Sequence, residues 1–178
     1  MKIDEEKLRR CLYNLRESEL ALSELIRNTG MRFSTNKLTG DLGEFYFKLA
    51  SSRFPKLFES LHQPAKSNEQ YDFIAQINTE SHPYKKLNKE TLRIEVKTRR
   101  NQSGVKYLSG VKPSQFDMLC MVDIASDYTL KNIFFIDHKT VAQNFKQYGR
   151  LIFNENMAFH KIVCHQTKVG FSIVEVSC

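Results

Sequence analysis

The sequence lacks any segment that could serve as a membrane span. No apolar stretch of the 178 residues approaches the roughly 18 that a spanning helix needs. Its four cysteines, at positions 11, 120, 164 and 178, form no Cys-x-x-Cys pair, which favours reduced thiols over a disulfide framework. The first ten residues, MKIDEEKLRR, are charged and have no apolar signal core. We therefore expect a cytoplasmic protein with no membrane partner.

Several common enzyme patterns are also missing. The sequence has neither a Gly-rich phosphate loop nor a Ser-His-Asp arrangement, so neither P-loop nor triad chemistry is indicated. It contains no internal repeat, low-complexity tract or linker, which argues against repeat and multidomain architectures. A hydrophobic share of 41%, with 13 Phe and 7 Tyr, is enough for one core. These features predict a single domain over residues 1–178.

The positive charge is concentrated in one window. The protein has 27 basic and 20 acidic residues, a net charge of +7. Nine basic and two acidic residues fall between Lys85 and Lys112. The net charge of this window therefore equals that of the whole chain, and the remaining residues include equal numbers of acidic and basic side chains. A basic cluster favours a polyanionic partner, nucleic acid first. The alternative for Lys85, Lys86 and Lys89 is an ordinary solvated loop.

The most informative stretch is LRIEVKTRR, residues 92–100. Read as a strand, it alternates an apolar face with a face that carries a carboxylate beside an amine. Upstream, Asp72 opens a second apolar run over 71–77. An acid at the start of one strand, with acid-x-lysine inside the next, can build a divalent-metal site suited to phosphodiester hydrolysis. The apolar face holds Leu92, Ile94, Val96 and Thr98, and the polar face holds Arg93, Glu95, Lys97 and Arg99.

Acid-x-lysine alone is a weak signal, because the sequence contains it three times. The copy at Glu5 lies in a predicted helix with no acid upstream. The copy at Asp137 stands where a strand ends and a helix begins, so helix capping explains that acid. Only the copy at Glu95 lies inside an apolar strand, follows a strand headed by an acid and is surrounded by positive charge.

The roles expected at this site follow from charge. Mg²⁺ prefers hard oxygen ligands and keeps several waters, so Asp72 and Glu95 would supply carboxylates and Val96 its carbonyl oxygen. A metal-bound water becomes a better nucleophile because the ion lowers its pKa. Lys97 lies on the same strand face as Glu95, where it could orient or deprotonate that water or offset charge in the transition state.

Two helices are predicted before this strand. Apolar residues recur at helical spacing over 3–27, and this helix could pack on the core or pair with a second copy. A second helix is predicted over roughly 41–53. Asp41 and Glu44 have the spacing of a capping box at its start. Alternatively, Glu44 is a further carboxylate that reaches the metal site.

The rest of the chain supplies more strands. Strands are expected at 118–125 and 132–137, followed by a helix over 139–147 capped by Asp137 or Thr140. The stretches 56–70 and 101–110 are interpreted as loops, and the tail is expected to hold one or two strands. The predicted organisation is an N-terminal helix at about 3–27, a catalytic core at about 40–146 and C-terminal strands at about 150–178.

Asp72, Glu95-Val96-Lys97 and the preceding helix with Glu44 resemble the PD-(D/E)xK nuclease superfamily, which includes most type II restriction endonucleases. The resemblance covers roughly residues 40–146, with Tyr71 where the motif has Pro. It implies an α/β fold with a mixed central sheet flanked by helices. It also implies DNA cleavage that depends on Mg²⁺, with Mn²⁺ able to substitute, and often a homodimer.

Within this resemblance, Asp72, Glu95 and Lys97 match the catalytic residues, and Glu44 matches a helix acid found in many members. The small size favours a sequence-specific restriction enzyme acting on double-stranded DNA. A Holliday junction resolvase and a non-catalytic DNA-binding module of the same fold are the alternatives. Side chains suited to base edges, although most such contacts hold phosphates, are Arg99, Arg100, Asn101, Gln102, Lys106, Lys112, Ser114 and Gln115.

Overall fold

The computed structural model describes residues 3–27, 35–53, 58–64, 71–77, 89–100, 107–146, 150–167 and 170–177. Its helices are α1 (Glu5–Arg27), α2 (Asn36–Arg53) and α3 (His138–Gln143). Its strands are β1 (Ser60–His62), β2 (Phe73–Gln76), β3 (Thr91–Arg100), β4 (Tyr107–Ser109), β5 (Met118–Ile124), β6 (Leu130–Asp137), β7 (Phe145–Lys146), β8 (Arg150–Ile152), β9 (His160–Thr167) and β10 (Gly170–Ser177).

The centre of the fold is a seven-stranded mixed sheet. Its strand order is β1-β2-β3-β5-β6-β9-β10. Neighbouring strands are antiparallel except for β3 and β5, which run parallel with Val96 opposite Cys120. Helices lie against this sheet, and α1 leads the chain. The prediction of an α/β fold with a mixed central sheet, flanking helices and an N-terminal helix is confirmed. No helix among the described residues is long and apolar enough to cross a membrane.

A second sheet of three strands, in the order β4-β8-β7, was not predicted. It packs with α3 on one face of the central sheet, where Leu108 and Leu151 share a core with Leu119 and Met121 of β5. The interpretation of 101–110 as a loop is therefore wrong for β4. The interpretation of 56–70 as a loop is likewise wrong for β1, and the tail holds three strands instead of one or two. Strands of three residues are too short to show the alternation that identifies longer ones.

On the opposite face, α2 lies across β3 and β5 and fills the larger core. Phe47 of α2 contacts the rings of Phe58, Phe73 and Phe135 at centroid distances of 5.9, 5.2 and 6.5 Å. Such tilted aromatic contacts are favourable beyond the area they bury. Because Phe73 begins β2, this cluster fixes α2 against the strand that follows Asp72.

Helix α2 begins earlier than predicted. Its first residue is Asn36, so Asp41 and Glu44 lie inside the helix and the predicted capping box is wrong. Residues three apart also neighbour each other on a helix surface, which is why the spacing was ambiguous. The pairing of Asp41 with Lys37, one turn earlier at 3.9 Å, fits an interior position.

Close approach of α2 to β3 depends on Gly43, which is buried. A Cβ atom built at Gly43 would overlap Oγ1 of Thr98 and lie 2.8 Å from its Cβ. Only the absence of a side chain lets the two backbones approach to this extent. Glu44 follows Gly43 directly, so this contact also determines how near Glu44 comes to β3.

The buried carboxylate of Asp117, just before β5, links this part of the chain to the start of β3. It is 5% exposed and accepts hydrogen bonds from the Arg93 backbone N–H at 2.9 Å, the Arg93 Nε at 3.1 Å and the Lys89 Nζ at 2.6 Å. Burial alone raises the pKa of Asp117, but the hydrogen bonds from Arg93 and Lys89 outweigh it and bring the pKa to about 2.

Acid should therefore weaken the fold through Asp117. Since its pKa is lowered in the folded chain, the stabilisation is present above pH ~4 and is lost as pH falls toward 2. Arg93 and Lys89 are partly exposed, so we expect Asp117→Asn to reduce the free energy of unfolding at neutral pH by about 1–2 kcal/mol. Urea titrations across pH measure this. Glu17→Gln, at an exposed carboxylate of α1, is the control; equal pH profiles for Asp117→Asn and wild type would refute the assignment.

Candidate functional site

The pairing of β2 with β3 places Asp72 next to the Glu-x-Lys sequence. The two strands are antiparallel, with Phe73 opposite Ile94. The backbone N–H of Asp72 donates to the Ile94 carbonyl at 2.9 Å, and Oδ2 of Asp72 accepts from the Val96 N–H at 2.7 Å. The Asp72 side chain thus takes the ladder position that a further residue of β2 would occupy. Although 23 positions separate Asp72 from Glu95 in the sequence, the fold brings them to the same part of one hairpin.

Glu95 and Lys97 form an ion pair on one face of β3. The Lys97 Nζ lies 2.5 Å from Oε1 of Glu95. Because side chains alternate along a strand, both point to the face covered by the second core. Glu95 is 9% exposed, whereas Lys97 is partly exposed. The Lys97 side chain is therefore more accessible to solvent than the Glu95 carboxylate.

Glu44 lies near the same carboxylates. Its Oε2 accepts a hydrogen bond from Nε2 of Gln63 at 3.2 Å. Burial raises the pKa of Glu44, and the charges of Asp72, Asp41 and Glu95 raise it further. The catalytic role of Glu44, like that of Asp72, Glu95 and Lys97, stays a prediction.

The two central carboxylates are held in an environment that disfavours their charge. Burial raises the pKa of Asp72, more than the Val96 N–H and Lys97 lower it. Burial also raises the pKa of Glu95, more than the hydrogen bond and charge of Lys97 lower it, and the Asp72 charge raises it further. A cation placed between such carboxylates would offset both burial and mutual repulsion.

The donor set fits a hard divalent cation. The Val96 N–H points to the β2 side of β3, where it meets Asp72. A strand residue directs its C=O to the same side as its N–H, so the Val96 carbonyl faces this edge as well. Within the described residues, no group of three or more His, Cys, Asp or Glu is placed to hold a metal ion. Mg²⁺ needs no such cage, because it is commonly bound by one or two carboxylates and retains several waters.

A cleft of about 420 Å³ opens at this edge of the sheet. Helix α2 forms one wall, β4 of the second sheet forms the other, and Asp72 and β3 lie between them. Glu95 is not one of the described residues that line the cleft, but its partner Lys97 is. The lining residues are Asn36, Thr39, Gly40, Glu44, Asp72, Val96, Lys97, Thr98, Tyr107, Leu108 and Ser109.

Seven of these lining residues were not singled out from the sequence, although Thr98 was placed on the apolar face of the strand. The residues of α2 were missed because the helix was predicted to begin after them. Tyr107 and Ser109 were missed because β4 was interpreted as loop. Gly40 gave no signal from the sequence, because it precedes the predicted start of the helix at residue 41.

Two of the predicted DNA contacts are engaged within the protein. Arg99 makes a two-point ion pair with Asp123, with both N–O distances 2.7 Å. Arg100 makes a two-point pair with Glu19 of α1, with both distances 2.6 Å, and stacks over the Tyr128 ring at 4.1 Å. These pairs give both arginines a structural role, and a role in binding DNA stays a prediction.

The other predicted DNA contacts are placed differently. Lys112 and Ser114 are exposed and Gln115 is partly exposed, on a 3₁₀ turn at Pro113–Gln115 that precedes β5. The charge of Lys112 lowers the pKa of Glu95, opposing the effect of burial. Asn101, Gln102 and Lys106, like Lys85 and Lys86, lie outside the described residues.

The similarity of this chain to known proteins is structural. No family model matches the sequence, and no curated protein matches it. Among solved structures, the chain is similar to a bacterial homing endonuclease, I-Ssp6803I, at 12% sequence identity and a TM-score of 0.42. The similarity covers 76% of this chain and 81% of the homing endonuclease.

Proposed function

We propose that the protein is a Mg²⁺-dependent DNA endonuclease that hydrolyses phosphodiester bonds. The observation that carries this proposal is the hydrogen bond from the Val96 N–H to the Asp72 carboxylate. This bond fixes one acid beside the Glu95–Lys97 pair, at the mouth of a cleft and next to the most basic part of the chain. Acids placed within a stretch of sequence rich in lysine and arginine suit a polyanion that is bound together with a metal.

Each residue has a defined task in this proposal. Asp72, Glu95 and the Val96 carbonyl would hold the metal, which supplies Lewis-acid activation of water and of the phosphate. Lys97 balances the Glu95 carboxylate and presents its Nζ to a non-bridging phosphate oxygen in the cleft. Glu44, whose pKa is raised by burial, would accept or hold a proton of the attacking water. Mn²⁺ should substitute for Mg²⁺, because it accepts the same oxygen ligands.

We further propose that the enzyme is a sequence-specific restriction endonuclease of type II that acts as a homodimer on double-stranded DNA. The basic window between Lys85 and Lys112 would follow the phosphate backbone. Lys112 and Ser114 are exposed and would contact DNA beyond the cleft. A dimer would present two clefts to the two strands of a palindromic site.

Incubation of plasmid DNA with the purified protein tests the proposal. With Mg²⁺ or Mn²⁺ we expect cleavage into discrete fragments, and with EDTA we expect none. A smear would contradict sequence specificity while retaining nuclease activity. Preferential cutting of a four-way junction would favour the resolvase alternative. If the protein binds DNA without metal and does not cut it in the presence of any divalent ion, the nuclease proposal is refuted and the DNA-binding module is supported.

A further inference from the structure

An exposed aromatic side chain stands in the wall of the cleft. Tyr107 is 54% exposed. On β4 it alternates with Leu108, which is buried in the second core, so Tyr107 points away from that core. The other large apolar side chains that are exposed among the described residues, Tyr13, Leu20 and Leu22, all belong to α1. Tyr107 is therefore distinguished by its position across the cleft from the helix wall.

The facing wall is bare at Gly40. A Cβ atom built there would meet nothing within 4 Å, so no packing contact requires glycine. Glycine inside a helix is less stable than alanine by about 1 kcal/mol. The missing side chain instead leaves room in the cleft that Gly40 lines. The cleft thus pairs an exposed ring on one side with a partly exposed glycine on the other.

The size of the cleft restricts what can contact Tyr107. At about 420 Å³ it lies near the lower end of the range for single small-molecule sites, roughly 300–1,000 Å³. A single nucleotide is comparable in size to this volume, whereas a duplex would have to lie across the opening of the cleft. Within a duplex, a base shows only its edges, and its flat face becomes accessible when the base leaves the stack. A ring in this cleft can therefore stack on a base only after that base is displaced.

We propose that Tyr107 stacks on a base that has left the duplex next to the phosphate at Asp72 and Lys97. This inference rests on the proposed nuclease function and adds that one nucleotide of the bound DNA is unstacked in the cleft. Stacking on an aromatic side chain tolerates any base, since every base has a π-face. The base should leave most readily where it is mismatched or unpaired, so a DNA site with a mismatch at that position should be bound more tightly than the same site in intact duplex.

The test is a double-mutant cycle between the protein and the DNA. Dissociation constants are measured with Ca²⁺ in place of Mg²⁺ for wild type, Tyr107→Ala and Tyr107→Phe. The probes are a short duplex, the same duplex with one abasic position moved along a strand, and a duplex with one mismatch at each of those positions. We expect Tyr107→Ala to bind mismatched duplex roughly ten- to a hundredfold more weakly and Tyr107→Phe to bind like wild type. When the abasic position coincides with the displaced base, wild type and Tyr107→Ala should have equal dissociation constants.

Tyr13→Ala is the matched control, because Tyr13 is an exposed tyrosine of α1 outside the cleft. It should bind every probe like wild type. Equal binding by Tyr107→Ala and wild type, or a loss that no abasic position removes, would overturn the stacking role. The nuclease proposal fails separately, if wild type cuts no DNA with Mg²⁺ while the Tyr107 cycle still reports on binding.

Discussion

If the proposed nuclease function holds, Asp72→Asn is expected to reduce Mg²⁺-dependent DNA cleavage at least about a thousandfold, because it removes a charge from the proposed metal site. Asparagine keeps an oxygen that can accept the Val96 N–H, so the hairpin should remain intact. DNA binding without metal should persist or strengthen, since a negative charge facing phosphate is gone. Single-turnover cleavage and a binding titration measure the two effects. If Asp72→Asn cuts DNA at the wild-type rate, Asp72 is not part of the active site.

The stability of the same variant provides an independent readout. Burial raises the pKa of Asp72, so the carboxylate in its charged form destabilises the metal-free fold at neutral pH. The melting temperature of metal-free Asp72→Asn should therefore equal or exceed that of wild type. Added Mg²⁺ should raise the melting temperature of wild type and not that of the variant. Glu90→Gln, which neutralises an exposed acid just before β3, should retain both activity and the response to Mg²⁺.

Gly43→Ala is expected to destabilise the fold by about 3 kcal/mol, the upper part of the range for overpacking a core. The added Cβ would overlap Oγ1 of Thr98 and lie 2.8 Å from its Cβ, and a short β-branched side chain cannot turn aside. Helix α2 must then move away from β3 and carry Glu44 with it. Urea unfolding measures the loss of stability, and the cleavage rate should also fall.

Two further variants make the cause of this loss identifiable. In Gly43→Ala/Thr98→Gly the atoms that obstruct the new Cβ are absent, so the double variant should be more stable than the sum of the single changes predicts. Gly40→Ala makes the same substitution on the same helix where the Cβ meets nothing. It should stabilise the protein by about 0.5–1 kcal/mol. If Gly43→Ala is as stable as wild type, the stability of the fold does not depend on the absence of a side chain at position 43.

The sequence was sufficient for the elements with long, regular patterns. The alternation over 92–100 identified β3 and the two faces of Glu95 and Val96, and the apolar run at 118–125 identified β5. Asp137 was assigned to capping, and in the structure it accepts from the Thr140 N–H at the start of α3. In each case the signal lies within a few neighbouring residues, which is where periodicity and capping rules apply.

Other features depend on partners that are distant in the sequence. The arginines after Lys97 gave no sign of pairing with Asp123 and Glu19, which are 24 and 81 positions away. The role of Asp117 in tying Lys89 to Arg93 was equally invisible. The cleft has its second wall only because β4 pairs with β8, more than forty positions later. Side-chain type alone cannot specify such long-range contacts.

The hairpin that joins Asp72 to Val96 has a consequence for how relatives of this protein could be recognised. Asp72 reaches the Val96 N–H because Phe73 pairs with Ile94, and this register is independent of how many residues connect the strands. Insertions or deletions between Gln76 and Thr91 could therefore accumulate without disturbing the chemistry. A search pattern for homologues should specify strand register and leave the gap length open.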